Sequence, residues 1–180
     1  MANKQDLERI KRKVNKDKKL TKLNERFDSH PSYNLPVREL YEEIENLHMT
    51  RKTRQLKRNS DSFTQDLMDG MLQDQSVRSR LTEIIMTCLS VTKSLRETLD
   101  NLSGYISVEY ADELSILRTK AERTNFVDKH ILATYYKYVR RVEKLRESAE
   151  LVIVDIDKAG FNYKGLIEAA KMVSGGREVV

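Results

Sequence analysis

Residues 127–156 read VDKHILATYYKYVRRVEKLRESAELVIVDI, and this stretch decides the fold class. Its apolar and tyrosine side chains recur at steps of three and four residues, and the heptad spacing is unbroken from residue 131 onward. The members of this stripe are Val127, Ile131, Tyr135, Tyr138, Val142, Leu145, Ala149, Val152 and Ile156. The spacing predicts one long amphipathic helix with coiled-coil character.

A second stripe lies in residues 81–102 and has the same spacing. Its members are Leu81, Ile84, Cys88, Val91, Leu95, Thr98 and Leu102, with Thr98 as the break in the stripe. Ser103 and Gly104 predict the end of this helix, because glycine tolerates the left-handed backbone found after many helices. Together the two stripes predict a long antiparallel helical hairpin.

Further apolar side chains lie on the flank of the predicted hairpin. They are Ile85, Leu89, Leu99, Leu117 and Phe126. Few turn residues are available to fold other elements over this flank, so we expect it to pack against copies of the same chain. The sequence therefore predicts a homo-oligomer.

The segment LVIVDI at 151–156 also fits a strand, because it is rich in β-branched residues. We prefer a helix, since the heptad register continues through it and no other convincing strand is present to pair with it. Two further glycines are expected to interrupt helices. Gly70 weakens or ends a short helix that begins near Ser62, and Gly160 separates the long helix from a short one at Gly165 to Val173.

The prolines indicate where the chain divides. Pro31 and Pro36 lie in DSHPSYNLP, and a proline cannot continue a helix. We therefore divide the all-α chain into a basic N-terminal arm and linker at 1–36, a helical oligomerisation and binding domain at 37–173, and a flexible tail at 174–180. The sequence leaves open whether residues 1–30 are ordered, because their helical pattern is short and heavily charged.

Charge is distributed unevenly along the chain. Residues 1–60 hold 16 Lys and Arg against 9 Asp and Glu, whereas residues 61–180 hold 17 against 19. The net charge of +5 therefore arises in the first third of the sequence. A basic region on a nearly neutral scaffold is typical of proteins that bind nucleic acid or acidic surfaces.

Several classes of protein are disfavoured by the sequence. No apolar run approaches the ~20 residues that span a membrane, and no signal peptide is recognisable, so we expect a cytoplasmic protein with no membrane partner. The single cysteine, Cys88, lies on an apolar stripe. The three histidines are isolated from one another, and no catalytic or metal-binding motif occurs. We therefore expect a protein that is not an enzyme and holds no metal or cofactor.

Two basic clusters are the candidate binding residues. The first is in HMTRKTRQLKR at 48–58, and the second is in the long C-terminal helix beside a run of tyrosines. The predicted contacts are Arg51, Lys52, Arg54, Lys57 and Arg58 in the first cluster and Tyr136, Lys137, Arg140, Arg141 and Lys144 in the second. Basic groups bind the phosphate backbone, and a free tyrosine stacks on the bases of a single strand.

The C-terminal sequence DIDKAGFNYKGLIEAAKMVSGG resembles the end of the UvsY family of T-even-like phage recombination mediators. The matching positions are Lys164, Leu166, Ile167, Glu168, Lys171 and Gly175. The resemblance implies a helical, ring-forming protein in the host cytoplasm that loads a recombinase onto single-stranded DNA.

Two other functions fit the same features. A small terminase subunit also combines a DNA-binding region with a helical hairpin that assembles a ring, and it binds duplex DNA for packaging by a motor subunit. A structural scaffold or virion component with a basic tail is the third interpretation.

Overall fold

The computed structural model describes residues 4–29, 33–52 and 63–175, and all regular elements within these ranges are helical. In chain order they are α1 (Lys4–Val14), α2 (Lys18–Ser29), α3 (Val37–Lys52), α4 (Phe63–Glu109), α5 (Ala111–Leu114), α6 (Lys120–Phe126), a π-helical turn (Val127–Ile131) and α7 (Ala133–Gly175). The two long helices, α4 and α7, pack antiparallel. This confirms the predicted all-α class and helical hairpin.

The contacts divide the chain into two units. Unit 1 comprises Met1–Val37 and Cys88–Lys144, and unit 2 comprises Arg38–Thr87 and Leu145–Val180. Helices α4 and α7 therefore each contribute one part to both units. The division predicted from the prolines separates residues 1–36 from the rest, whereas the contacts group these residues with the C-terminal part of α4 and the start of α7.

The first two helices form part of the unit 1 core. Ile10 and Val14 of α1 and Leu20 and Leu23 of α2 are buried against residues of α4 and α7. Helices this short are marginally stable alone, and burial of an apolar face supplies the missing stability. The sequence left open whether residues 1–30 are ordered. In the structure, residues 4–29 form two packed helices.

Asp17 connects these helices to the end of α4. Its Oδ1 accepts a hydrogen bond from the backbone N–H of Lys19 at 2.7 Å, which caps the N-terminus of α2. Its Oδ2 accepts hydrogen bonds from the hydroxyls of Tyr105 at 3.1 Å and Tyr110 at 3.0 Å. Burial alone would raise the pKa of Asp17, but these hydrogen bonds outweigh burial and lower it.

The predicted stripes are buried, with a shift of one residue at one position on each long helix. On α7 the buried residue is Val139, while Tyr138 is half-buried. On α4 the buried residue is Leu99, while Thr98 is half-buried and its hydroxyl donates to the Ser94 carbonyl. Leu99 and Phe126 were predicted to face other copies of the chain. That prediction is wrong for both residues, because they pack in the core of unit 1.

The predicted breaks at Gly104 and Gly160 are wrong, and the helix does not end at Gly70. Helix α4 continues through Gly70 and Gly104, and α7 continues through Gly160 and Gly165 to Gly175. A glycine inside a helix costs about 1 kcal/mol relative to alanine. Full burial of one large apolar side chain contributes about 1.5–3 kcal/mol, so the buried neighbours Leu67 and Ile106 offset the cost in α4. The beginning proposed at Ser62 lies outside the described residues.

Residues 151–156 are helical, as preferred from the heptad register. Val152 and Ile156 are buried, whereas Leu151 and Val154 are exposed. The β-branched residues therefore occupy both the buried and the exposed side of α7. Their burial in a helical register outweighs their preference for strands.

A short connection of irregular helices joins α4 to α7 within unit 1. Helix α6 begins with a capping box, in which Thr119 Oγ1 accepts from the Glu122 N–H and the Glu122 carboxylate accepts from the Thr119 N–H. The π-helical turn follows, closed by the hydrogen bond from the Leu132 N–H to the Val127 carbonyl at 2.9 Å. Leu114, Val127 and Leu132 are fully buried and fix the connection to the core.

Unit 2 has its own core between α3, α4 and α7. Its buried apolar residues include Ile44, Leu67, Val77, Leu81, Ile84, Leu145, Ala149, Val152 and Ile156. Among the described helices, none combines the length and the apolar composition needed to cross a membrane.

Candidate nucleic-acid interface

A groove of about 630 Å³ lies in unit 1 between α1, α2, the π-helical turn and the start of α7. We call it the α1–α7 groove. Four of its lining residues are basic: Lys11, Lys129, His130 and Lys137. Its polar wall includes Asn15, Asn24 and Thr134, and none of its described lining residues is acidic. Such a groove attracts anions, because no carboxylate among these described residues neutralises the ammonium groups.

The π-helical turn places two of these basic residues. Lys129 and His130 lie in the wide turn, and both side chains are exposed. The His130 ring stacks on Phe126, with 5.2 Å between ring centroids and a tilt of 34°. A single π-helical turn is uncommon and is found frequently at functional sites. Here it brings a cation and an exposed aromatic ring to the same groove.

The floor of the groove is aromatic and rigid. The Phe27 ring contacts Tyr135 edge-on at 5.1 Å and Tyr138 at 5.0 Å. The Tyr135 hydroxyl donates to Asn24 Oδ1, and the Tyr138 hydroxyl accepts the Leu35 N–H at 2.7 Å. Burial raises the pKa of Tyr138. Tyr135 is therefore a core residue, as its heptad position indicates, and Tyr138 is half-buried against the same core.

A second basic groove, of about 300 Å³, lies on the other side of α2. We call it the α2–α4 groove. Lys19, Lys22 and Arg26 line it from α2, at the i, i+3, i+7 spacing of one helix face. Tyr33, Thr98, Asn101 and Tyr105 are among the other lining residues, and the described lining again includes no carboxylate.

Lys19 is held in position within the α2–α4 groove. Its ammonium group lies 3.5 Å from the centroid of the Tyr105 ring, a cation–π contact. Tyr105 is itself fixed by its hydrogen bond to Asp17. Burial, and then the hydrogen bond to the negative carboxylate, raise the pKa of Tyr105, which stays a neutral donor. The Lys19 charge is therefore ordered before any ligand binds.

The second predicted cluster is divided by the structure. Lys137 lines the α1–α7 groove, whereas Arg140, Arg141 and Lys144 are exposed on α7 outside both grooves. Tyr136 was predicted to stack on bases. It is half-buried and lines neither groove, and burial followed by the Asp128 carboxylate raises its pKa to about 12. This placement favours a structural role for the Tyr136 hydroxyl.

The first predicted cluster begins with Arg51, which the structure places inside unit 2. Its Nε donates to Asp74 Oδ1 at 3.2 Å, and its Nη2 donates to the backbone carbonyl of Asp155 at 2.8 Å. The Arg51 side chain is only 11% exposed. Arg51 therefore joins α3 to α4 and α7, which does not fit a phosphate contact. Arg54, Lys57, Arg58 and the side chain of Lys52 lie outside the described residues.

Unit 2 has grooves of a different kind. One of about 410 Å³ is lined by Glu39, Glu42 and Glu43, with Arg51 as the basic residue of its described lining. Another, of about 680 Å³, is mostly apolar and includes Met68, Met71, Leu72 and Phe161. Neither composition suits a polyanion, so of these four grooves of the described residues only the two in unit 1 are candidates.

Sequence reasoning missed most of the residues that form the two grooves. The spacing of Lys19, Lys22 and Arg26 was a usable signal, because it places three cations on one face of α2. Lys11 and Lys129 had no such signal, since they are far apart in the sequence and meet only after α1 packs on the rest of unit 1.

The described residues contain no cluster of three or more side chains suited to hold a metal ion. Comparison of the chain with protein-family models, with curated proteins and with solved structures found no match.

Proposed function

We propose that this chain is a non-enzymatic, oligomeric helical protein that binds single-stranded DNA through unit 1. It would act in the cytoplasm as an accessory factor in recombination, in keeping with the UvsY resemblance of its C-terminal sequence. The observation that carries the proposal is the α1–α7 groove, in which Lys11, Lys129, His130 and Lys137 meet without an opposing carboxylate among the described lining residues.

Charge favours nucleic acid as the ligand. Unit 1 holds 20 Lys and Arg against 13 Asp and Glu, and unit 2 holds 13 against 15. A phosphate backbone binds such a surface with the release of counterions, which requires no base sequence. Two ion pairs of unit 1, Lys13 with Glu113 and Arg96 with Glu143, lie outside both grooves. Their carboxylates therefore do not neutralise the cations that line the grooves.

Shape favours a single strand. The groove is concave, and a duplex is stiff over about 150 base pairs, so it would contact mainly the rim. A single strand bends into a groove and turns its bases toward aromatic rings. The exposed His130 ring, supported by Phe126, offers one such surface.

Self-association is supported by the surface of unit 2. Met68, Leu72, Phe161 and Met172 are each more than half exposed. The apolar groove also carries charges of both signs, among them Arg78, Asp157 and Lys164, as a face that meets a copy of itself would. Light scattering at micromolar concentration should give a mass above 21 kDa. A monomer under these conditions would contradict this part of the proposal.

The test of DNA binding is a matched pair of double variants on one helix region. Lys129→Gln with Lys137→Gln removes two cations from the groove, and Arg140→Gln with Arg141→Gln removes two exposed cations outside it. For a single strand, the first pair should lower the slope of log affinity against log salt by about 1.4, at about 0.7 per contact. The second pair should leave the slope unchanged.

The same titrations distinguish the alternatives. Tighter binding to a duplex than to a single strand would favour the small-terminase interpretation. An equal loss of slope in both pairs of variants would place binding on the outer face of α7, as the sequence predicted. If neither nucleic acid binds at low salt, the proposed function is wrong. Neutral substitution of Arg54, Lys57 and Arg58 tests the first predicted cluster separately.

A further inference from the structure

The α2–α4 groove has the features of a second backbone site. Lys19, Lys22 and Arg26 line one side of it, and Thr98 and Asn101 line the other. The Lys19 ammonium is already held over the Tyr105 ring at 3.5 Å. An ordered cation loses less conformational freedom on binding a phosphate than a solvated lysine does.

Helix α2 separates the two basic grooves. Asn24 and Phe27 line the α1–α7 groove, while Lys22 and Arg26 line the α2–α4 groove from the same helix. Leu20 and Leu23 lie on the buried side of α2 and anchor it to the core of unit 1. A helix with its side chains is about 10–12 Å across. A stacked strand rises about 3.4 Å per nucleotide, so about three or four nucleotides would cross α2.

We propose that the α2–α4 groove is a second phosphate-binding site, and that one single strand crosses α2 to occupy both grooves. This inference rests on the proposed binding of single-stranded DNA by unit 1. Each groove alone holds a short segment. A longer strand connects the two grooves and gains affinity, because its second contact is intramolecular.

The experiment compares oligothymidylates of about 4 and about 15 nucleotides, lengths within the range of known single-strand sites. The full-length chain should bind two short oligonucleotides per chain and one long oligonucleotide per chain, measured by titration calorimetry and fluorescence anisotropy. The long strand should bind at least tenfold more tightly than the short one.

The variant is Lys22→Gln with Arg26→Gln, which removes two cations from the α2–α4 groove. It should bind one short oligonucleotide per chain, and its salt slope for the long strand should fall by about 1.4. The matched control is Arg9→Gln with Arg12→Gln, because these exposed cations of α1 line neither groove and do not lie on α2. The control should keep the original stoichiometry and slope. Circular dichroism should show unchanged helix content in all proteins.

The two proposals fail in different ways. If the long strand binds and the Lys129 and Lys137 substitutions weaken it, but the Lys22 and Arg26 substitutions change neither slope nor stoichiometry, the second site is refuted and the proposed function stands. If no oligonucleotide binds the unaltered chain, the proposed function fails, and the second site fails with it.

Discussion

Unit 1 and unit 2 contain parts of the same two long helices, yet their surfaces differ in chemistry. In unit 1, α1 and α2 cover the apolar faces of α4 and α7 and present their own lysines outward. In unit 2, α3 contributes three glutamates to a groove, and apolar side chains remain exposed on α4 and α7. Nine of the twelve large apolar side chains that are most exposed in the described ranges belong to unit 2. The covering helices therefore decide the surface chemistry of each unit.

The largest expected effect is in unit 2, where Arg51 and Asp74 form an ion pair with side chains only 11% and 6% exposed. We expect Arg51→Leu to lower the free energy of unfolding by about 3–5 kcal/mol, because it leaves a buried carboxylate without its cation. Urea denaturation measures the change.

The matched control is Arg38→Leu, which breaks the surface pair with Glu42 and should cost less than about 1 kcal/mol. Equal costs for the two variants would show that Arg51 is not a structural residue, and would return it to the list of candidate phosphate contacts.

The next largest effect is expected in the core of unit 1. Leu99 is fully buried, and Leu99→Ala should lower the free energy of unfolding by about 3 kcal/mol, because apolar burial is lost and a cavity remains. Leu151 of unit 2 is 69% exposed and lies outside the apolar groove, so Leu151→Ala should change stability by less than about 0.5 kcal/mol. The Leu99 effect should not depend on protein concentration. A concentration-dependent effect would instead support the predicted role of Leu99 between copies of the chain.

A smaller effect is expected at the corner between α1 and α2. Asp17→Asn keeps a capping oxygen for α2 but removes the charge that Tyr105 and Tyr110 bind, so it should cost about 1 kcal/mol at neutral pH. The pKa of Asp17 is lower in the folded chain than its unfolded value near 3.8. Its ionised carboxylate therefore contributes fully to the free energy of unfolding above that value, and this contribution is lost as pH falls below it. Thermal melts from pH 6 to pH 2 should converge for the two proteins.

Tyr110 should give the opposite pH dependence. Burial, then the hydrogen bond to Asp17, raise its pKa to about 12 from 10.0. Because the unfolded chain loses this proton more readily, the contribution of Tyr110 is complete below pH 10.0 and is lost as pH rises toward about 12. Tyr110→Phe should show a weaker loss of stability in this range, measured by chemical denaturation at several alkaline pH values.

The smallest effect is expected on the surface of unit 2. Arg80 donates to both oxygens of Glu43, at 2.6 and 3.1 Å, and these hydrogen bonds lower the pKa of Glu43. The pair is 47% and 34% exposed, so solvent and salt screen it, and Glu43→Gln should cost about 0.5 kcal/mol at low salt. Glu42→Gln, which affects the more exposed pair with Arg38, should cost less. A Glu43 effect that persists at high salt would contradict this account.

The sequence predicted the helices better than their ends. Heptad spacing located α7 and the buried side of α4, because a stripe repeated over many turns is a strong signal of one buried face. Gly70, Gly104 and Gly160 gave misleading local signals. Each costs only about 1 kcal/mol in a helix, less than the apolar burial on either side of it supplies.

The candidate site was predicted only in part. Lys137 was identified from its basic neighbours, and it lines the α1–α7 groove. Arg51 was selected by the same reasoning, but Asp74 binds it from 23 residues further along the chain. A cluster of like charges in the sequence does not reveal which members will meet an opposite charge after folding.

By itself the sequence determined the helical class, the two long stripes and the excess of positive charge near the N-terminus, because these depend on residue type and spacing within a few turns. The tertiary structure decided that α1 and α2 pack on unit 1 instead of extending as an arm. That packing brings Lys11 to the same groove as Lys129 and Lys137, and Lys19 over Tyr105. These contacts join residues 80 or more positions apart, so they arise from burial of Val14 and Leu23 in a shared core and not from any local pattern.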